Sequence, residues 1–466
     1  MKISNICCIG AGYVGGPTMA VIALKCPEIN VTVVDKNEDK IKAWNSNDYN
    51  EIPVFEPGLK EIIQEVRDRN LFFSTDIKLA VEESEMIFLA VNTPTKTKGE
   101  GVGMAADLTN VENSAHEIAK FANSDKIIVE KSTLPVRTAE KLKEILELSS
   151  NNYNFQVLSN PEFLAEGTAI KDLFNSDRVL IGGEDTPEGE KAVNALVSIY
   201  KKWIPEQKIL KSNVWSAELS KLASNAMLAQ RISSINSLSA VCAKTGANIL
   251  EVSKAVGADS RIGNKFLQPS VGFGGSCFQK DILNLVYLSI INGLPEVAEY
   301  WNQVVKINNY QRKRFVNLIL EKFEGNLSNT TISLLGWSYK KNTNDSRESA
   351  SIYISEMLLD KGANLNVYDP KVPAEKIKLD IENRLILQDL NNKDRSQILS
   401  RVKIFNDIYE CCSNVSTIAI LTEWIEFQNL NWQLIENNMN APYLVIDGRF
   451  MISEDKLSSK LKLISI

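Results

Sequence analysis

The chain has 466 residues, 44% of them hydrophobic and 24% charged, with a net charge of −6. That length exceeds what one hydrophobic core organises, so two or three domains are expected, and the acidic balance argues against nucleic acid as a partner. No run of about 18 apolar residues is present to span a membrane, and the start MKISNICCIGAGYVGG reads as a glycine-broken strand rather than a signal peptide. Seven cysteines, an odd number that includes Cys7-Cys8 and Cys411-Cys412, form neither a disulfide framework nor a zinc spacing, which fits a reducing cytosol. The single histidine, His116, in a polar helical stretch, argues against a Ser-His-Asp triad and against a His-rich metal centre.

Ile3 to Ile9 predicts a strand, followed by Gly10-Ala11-Gly12-Tyr13-Val14-Gly15 and a helical run from Pro17 to Leu24. In this G-x-G-x-x-G the first glycine permits the turn, the second lets main chain approach a pyrophosphate, and the third allows close helix–strand packing. A second strand, Asn30 to Val34, ends in Asp35, twenty residues beyond Gly15. An acid there accepts from a ribose 2′-hydroxyl and repels a 2′-phosphate, so NAD is expected over NADP, with nearby Lys40 tempering that exclusion. Further strands at Met86 to Val91 and Lys126 to Glu130 end in Asn92-Thr93-Pro94-Thr95 and Lys131-Ser132-Thr133-Leu134-Pro135. Ligands of open α/β sheets lie at those ends. These hydroxyl-rich turns therefore either face the cofactor or serve only as turns. A strand from Gln156 to Leu158 leads into Asn160-Pro161-Glu162-Phe163-Leu164-Ala165-Glu166-Gly167, whose two acids are either solvated helix-start residues or bases near a reacting carbon.

From Trp215 onward the sequence predicts a long helix, with Leu219, Leu222, Ala223, Ala226 and Leu238 at helical spacing and Lys221 and Asn225 one turn apart on one face. Val271 to Asp281, VGFGGSCFQKD, puts Gly272, Gly274, Gly275 and Ser276 just before Cys277, ahead of an apolar run from Ile282 to Leu288. Glycines let main chain lie against a ligand, and a helix starting here sets positive partial charge beside the sulfur, where a nucleophile is wanted. A buried structural cysteine is the alternative.

In the last third, strands at Thr331 to Leu335, Leu365 to Tyr368, Thr417 to Leu421 and Tyr443 to Ile446 repeat the strand, turn, helix, strand, acid order, with Asp369 in the place of Asp35. Here the turn reads Gly336-Trp337-Ser338-Tyr339-Lys340-Lys341, too bulky for a dinucleotide, while Lys340, Lys341 and Arg347 suit the phosphates of another nucleotide. The expected class is α/β: two Rossmann-like doubly wound domains, residues 1–212 and 326–466, joined by a long-helix domain, residues 213–325.

GAGYVG, VNTPT, EKSTLPVR, NPEFLAEGTAIKDL, ELSKLASNA, RIGNKF, VGFGGSCFQKD and NDSRES, spread over nearly the whole chain, resemble the UDP-glucose 6-dehydrogenase family. The resemblance implies that carbon 6 of UDP-glucose is oxidised to a carboxylate with two NAD⁺ consumed, by way of a thiohemiacetal and a thioester on Cys277. It implies that Lys221 and Asn225 stabilise oxyanion charge, that Asp281 handles a water, that Glu162 is the base for thioester hydrolysis, and that Thr133 helps hold that water. NAD is assigned to Gly10, Gly12, Tyr13, Val14, Gly15, Asp35, Lys40, Val91, Thr93, Thr95, Ser132, Thr133, Glu166 and Arg347. The UDP-sugar is assigned to Glu162, Phe163, Leu164, Ala165, Glu166, Lys221, Asn225, Arg261, Phe266, Leu267, Phe273, Gly274, Cys277, Tyr339, Lys340 and Arg449. Arg261 would reach the substrate of a neighbouring subunit, implying a homo-oligomer of at least two chains, with a hexamer built as a trimer of dimers left open.

Gln268-Pro269 stands where animal members commonly have Lys-Ala, Phe450 replaces a second arginine after Arg449, and the long polar C-terminal tail is missing. Rival readings are another nucleotide-sugar dehydrogenase acting on GDP-mannose or UDP-N-acetylmannosamine, a two-electron hydroxyacid dehydrogenase that does not need the cysteine, and an inactive scaffold. The presence of Cys277, Lys221 and Asp281 together argues against the last.

Overall fold

Strands such as Asn5–Ile9, with apolar side chains at nearly every position, need cover on both faces, which is the situation of a parallel sheet flanked by helices. The computed structural model, which describes residues 2–149, 153–388 and 390–466, contains two such sheets. The chain divides into two units, Met1–Ser224 with Leu283–Asn292, and Asn225–Ile282 with Gly293–Ile466.

The first unit holds β1 (Asn5–Ile9), β2 (Asn30–Val34), β3 (Leu71–Ser74), β4 (Met86–Leu89), β5 (Lys126–Glu130), β6 (Phe155–Ser159), β7 (Val179–Gly183) and β8 (Ile209–Asn213). They form an eight-stranded sheet in the order β3-β2-β1-β4-β5-β6-β7-β8, parallel except where β7 runs against β6. Side chains alternate across a strand. Ile6, Cys8, Val31 and Val33 therefore enter one buried cluster, and Cys7, Ile9, Val34 and Ile87 the other. The adjacent cysteines Cys7 and Cys8 thus fill opposite faces.

The second unit holds β9 (Thr331–Leu335), β10 (Asn364–Tyr368), β11 (Val402–Ile404), β12 (Thr417–Ile420), β13 (Leu444–Asp447) and β14 (Lys462–Ser465). They lie in the order β11-β10-β9-β12-β13-β14, all parallel. Ile332, Leu334 and Val367 face one cluster; Leu335, Ile418 and Ile420 face the other. In both sheets the order reverses beside the first strand, and the two loops that diverge there leave a crevice at the strand ends.

Several edges differ from the sequence expectation for local reasons. The first strand starts at Asn5 rather than Ile3, because the Ser4 and Asn5 amides donate to the Glu85 carboxylate. β4 stops at Leu89 rather than Val91, because the main-chain amides of Lys131 and Ser132 take the Leu89 carbonyl and the Ser132 hydroxyl takes that of Val91. A long helix spans Val214–Thr245, and others span Phe278–Ile291 and Pro295–Lys322. The last escapes an apolar-period reading because Asn308, Gln311 and Arg312 lie on its buried face among Val304, Phe315 and Ile319. Among the described residues no helix is long and apolar enough to cross a membrane.

Candidate active site

At the end of β1, Gly10 has φ +114, and a Cβ there would lie 2.4 Å from the Ala90 carbonyl oxygen. A Cβ on Gly15 would lie 2.0 Å from the Gly10 oxygen, whereas one on Gly12 would meet open space within 4 Å. Two glycines are thus required by packing, and the third leaves the cradle a pyrophosphate needs. Tyr13 and Val14 are half-buried beside it. The Asp35 carboxylate accepts from the Ala11 amide at 3.1 Å and from Lys40 Nζ at 2.7 Å. Burial pushes its carboxyl up, but Lys40 and the main-chain amides outweigh this and hold it below the usual range. This cradle fits a dinucleotide, with Lys40 engaged on Asp35 itself.

The turns after β4 and β5 are tied to each other. Thr93 Oγ1 donates to the Thr133 carbonyl at 3.2 Å, and Ser132 Oγ to the Val91 carbonyl at 2.7 Å, so these two hydroxyls serve the turns themselves. Thr95 pairs with Ala106 in an isolated bridge.

After β6, Glu162 folds back so that its Oε1 accepts from the Phe163 and Leu164 amides, while Oε2 meets Lys131 Nζ at 2.9 Å. Lys131, 3% exposed, also donates to Asn160 Oδ1 and to the Tyr200 hydroxyl. Burial alone would raise Glu162 and lower Lys131; their mutual charge reverses both, leaving Glu162 below its ordinary range and Lys131 raised to about 12. The sequence reading placed Lys131 only within a turn, and only the tertiary pairing shows its partner. It also passed over Glu56, whose buried carboxylate accepts from the Gly167 and Ala169 amides and so fixes the far end of this loop. Two cations approach the Phe163 ring, Arg178 at 3.8 Å and Lys221 Nζ at 5.2 Å from its centre. Leu164 packs on the first core, Ala165 is exposed, and Glu166 is half-buried.

Lys221 and Asn225, 7% and 6% exposed, occupy successive turns of the helix Val214–Thr245. The Asn225 amide donates to Asp281 Oδ2 at 2.6 Å, and Asp281 is 1% exposed. Asp281 lies in the first turn of the helix Phe278–Ile291, its amide bonded to the Cys277 carbonyl, so the cysteine stands at the helix start. Cys277 is exposed, whereas Cys7, Cys8, Cys26, Cys242, Cys411 and Cys412 are buried. Burial pushes the Cys7 and Cys411 thiols up to about 12. The exposed position removes the buried-cysteine alternative for Cys277.

The glycines before Cys277 lie against protein rather than open space. A Cβ on Gly274 would come 2.5 Å from the Glu348 oxygen, and one on Gly275 2.9 Å from the Tyr339 ring. Gly272, at φ +117, abuts Asn308, whose side chain accepts from the Phe273 amide at 2.8 Å and donates to its carbonyl at 3.0 Å. Gln311 donates to the Ser270 carbonyl, and Arg312, 1% exposed, to those of Phe273 and Glu348. The Val271 amide donates to the Gly448 carbonyl beyond β13, which seats the cysteine loop on the strand ends of the second sheet. Phe273 is buried edge-on to Phe278.

In that sheet Asp369 accepts from the Trp337 and Ser338 amides and from Trp424 Nε1. The chain itself has taken the acid that in the first fold awaits a ribose. Arg449 donates to the Leu421 and Tyr339 carbonyls and lies 3.4 Å from Glu423, so it braces the crevice loops. Lys340 Nζ stands 5.5 Å from the Tyr339 ring centre, and Arg347 pairs with Asp345 while its carbonyl accepts from Gly275. Arg261 is highly exposed and paired with Asp259. Phe266 is exposed at φ +62, whereas Leu267 is a core residue beside Ile249, which leaves a ligand only its main chain. No cluster of potential metal ligands occurs among the described residues.

Residues 4–204 match the NAD binding domain of the UDP-glucose/GDP-mannose dehydrogenase family, residues 215–310 its central domain and residues 333–454 its UDP binding domain. The chain is 55% identical over 460 residues to UDP-glucose 6-dehydrogenase 1 of Glycine max, covering 97% of this chain and 94% of the relative. It is 54% identical over 465 residues to UDP-glucose 6-dehydrogenase of Mus musculus, covering 100% and 92%. A solved UDP-glucose dehydrogenase from the hyperthermophilic archaeon Pyrobaculum islandicum shares the fold with a TM-score of 0.83 at 28% identity, over 98% of this chain and 96% of that one. Three domain matches that follow one another along the chain, and more than half identity from end to end, mean that it belongs to the UDP-glucose/GDP-mannose dehydrogenase family and uses NAD.

Proposed function

We propose that this enzyme oxidises carbon 6 of UDP-glucose to the carboxylate through intermediates bound to Cys277. The observation that carries the proposal is an exposed cysteine at a helix start, one turn before a buried Asp281 that holds the Asn225 amide. The residues of the Gly10–Gly15 turn and Asp35 hold NAD⁺, which when bound supplies the hydride acceptor; converting an alcohol to a carboxylate removes four electrons and so consumes two. At the aldehyde level the Cys277 sulfur adds to carbon 6, and the resulting oxyanion takes hydrogen bonds from Lys221 and from Asn225, oriented by Asp281. Oxidised once more, the adduct is a thioester. A water held by Thr133 attacks it, Glu162 receives the proton, and the carbon–sulfur bond breaks to release UDP-glucuronate and restore the thiol. The Lys131 ion pair keeps Glu162 ionised at neutral pH, the state in which it can accept that proton.

In this reading residues 1–212 bind NAD, residues 213–325 form the helical dimerisation domain, and residues 326–466 bind the UDP moiety through Tyr339, Lys340 and Arg449. The family matches to residues 4–204, 215–310 and 333–454 support the division. Arg261, exposed on its loop, reaches the substrate of a second copy. Six buried thiols and no disulfide among the described residues suit a reducing cytosol. The test is the NADH formed per UDP-glucose consumed, with GDP-mannose and UDP-N-acetylmannosamine as controls. Two NADH, with silent controls, is the expected result; one would stop the reaction at the aldehyde and remove the roles given to Cys277 and Glu162.

A further inference from the structure

The sequence EKSTLPVR carries an acid that the mechanism leaves unused. Glu130 ends β5 and is 1% exposed; Glu218 lies on the helix Val214–Thr245, one turn before Lys221, and is 2% exposed. Glu218 Oε2 accepts from the Arg137 amide at 2.7 Å, and Oε1 from the Ala139 amide at 2.9 Å. It therefore caps the first turn of the helix Thr138–Ser149 from outside that helix. Neither oxygen of Glu130 meets an N–H or hydroxyl donor, although its carboxyl lies within hydrogen-bonding range of Glu218. Two buried carboxylates cannot face each other both ionised, and an unpaired buried one is costly. A single proton between them resolves both problems.

We propose that Glu130 carries this proton and donates it to ionised Glu218, and that the pair positions the loop of residues 131–137 for the reaction. The location follows from what each acid touches. Two main-chain N–H groups stabilise charge on Glu218, whereas no N–H or hydroxyl donor stabilises charge on Glu130 and Glu218 opposes it. Burial raises both carboxyls, and the neighbouring Glu218 charge raises Glu130 further. The loop so held begins with Lys131, the partner of Glu162, and contains Thr133. Its start is fixed by β5 and its end by Glu218, which ties both to the helix that carries Lys221. Glu130 and Glu218 are positioning residues, and their effect rests on the reading above that Lys131, Thr133 and Glu162 serve the reaction.

The two acids respond differently to the same substitution. In Glu130→Gln the amide donates to Glu218 as the protonated acid did, so every bond survives. In Glu218→Gln an amide has one acceptor oxygen for two main-chain donors, so either Arg137 or Ala139 loses its partner. With kcat measured per folded enzyme well below the melting temperature, Glu218→Gln falls about tenfold or more while Glu130→Gln stays within about twofold, since a buried orphan N–H is worth about one power of ten. A merely structural pair would lower the melting temperature of Glu218→Gln and leave that kcat alone. The infrared band of a buried, protonated carboxylic acid, present in the native enzyme and absent in Glu130→Gln, reports the proton directly and needs no Glu218 variant that folds. Equal losses in the two variants, an undiminished kcat in folded Glu218→Gln, or no such band would overturn the proposal. One NADH per UDP-glucose in the native enzyme would remove the hydrolytic role of Glu162 but would change neither the band nor the order of the two variants.

Discussion

A thiol forms a covalent adduct only where substrate can reach it, and Cys277 is the one cysteine left exposed among the described residues. Cys277→Ala is expected to abolish NADH formation from UDP-glucose while leaving binding of NAD⁺ and UDP-glucose intact, as measured by calorimetry. Turnover unchanged from the native enzyme would end the thioester mechanism. Cys277→Ser, whose ester departs less readily than a thioester, is expected to accumulate an intermediate detectable by mass spectrometry. The Lys131–Glu162 pair makes a separate prediction about stability. Glu162 has a lowered pKa when folded, so its contribution is present above the unfolded value of about 4.3 and is lost as pH falls through the folded one. Lys131 is raised to about 12. Its contribution is complete below an unfolded value of about 10.4 and is lost as pH rises through the folded one. Glu162→Gln strands a buried ammonium and should cost about 3 kcal/mol in urea melts. That difference should be flat between roughly pH 6 and 9 and shrink in acid. A loss that grows toward low pH would show that the pair is not ionised.

At the scale of elements, the cysteine loop is a case of main chain held by side chains of another helix. Asn308 grips Phe273 through both its amide and its carbonyl. Asn308→Ala orphans both groups in a buried place and should cost about 2–4 kcal/mol and a large part of kcat. Asn308→Asp keeps the acceptor and should recover part of the loss; if alanine and aspartate variants match the native kcat, the grip does not position Cys277. Gly274→Ala tests the same seat from the other side, since its Cβ would collide with main chain at Glu348. The loop's glycines were legible as a sharp turn, but what they lie against was not: Asn308, Glu348 and Tyr339 are distant in sequence, and no local pattern announces them. The first nucleotide fold was legible because its signals are local, a strand, three glycines and an acid at fixed spacing. Short strands such as Val402–Ile404 and Lys462–Ser465 were not, because three or four residues are too few to establish a period. The buried Lys131, Glu56 and Glu130 stayed hidden for a related reason. A charged residue in a turn reads as solvated until its partner is brought to it by the fold.

At the scale of the whole molecule, the helix Val214–Thr245 carries Met227, Leu238 and Val241 at 62%, 41% and 56% exposure. Their spacing puts all three on one face of a helix, and an apolar face left to water is a site of association. A symmetric dimer would cover that face with its own copy. Val241→Glu places a charge there and should shift the mass in light scattering from dimer to monomer, with activity lost in parallel if Arg261 completes the site of the other chain. Complementation separates that last step from a general loss of stability. Arg261→Ala and Cys277→Ala should each be inactive alone, yet a mixture that exchanges subunits should regain about a quarter of native activity. Half of the dimers are then mixed, and each of these has one site with both an intact cysteine and an intact arginine from its neighbour. If Arg261 instead acts within its own chain, a mixed dimer contains no complete site and the mixture stays silent. A dimer that survives Val241→Glu with full activity would move the interface off this helix.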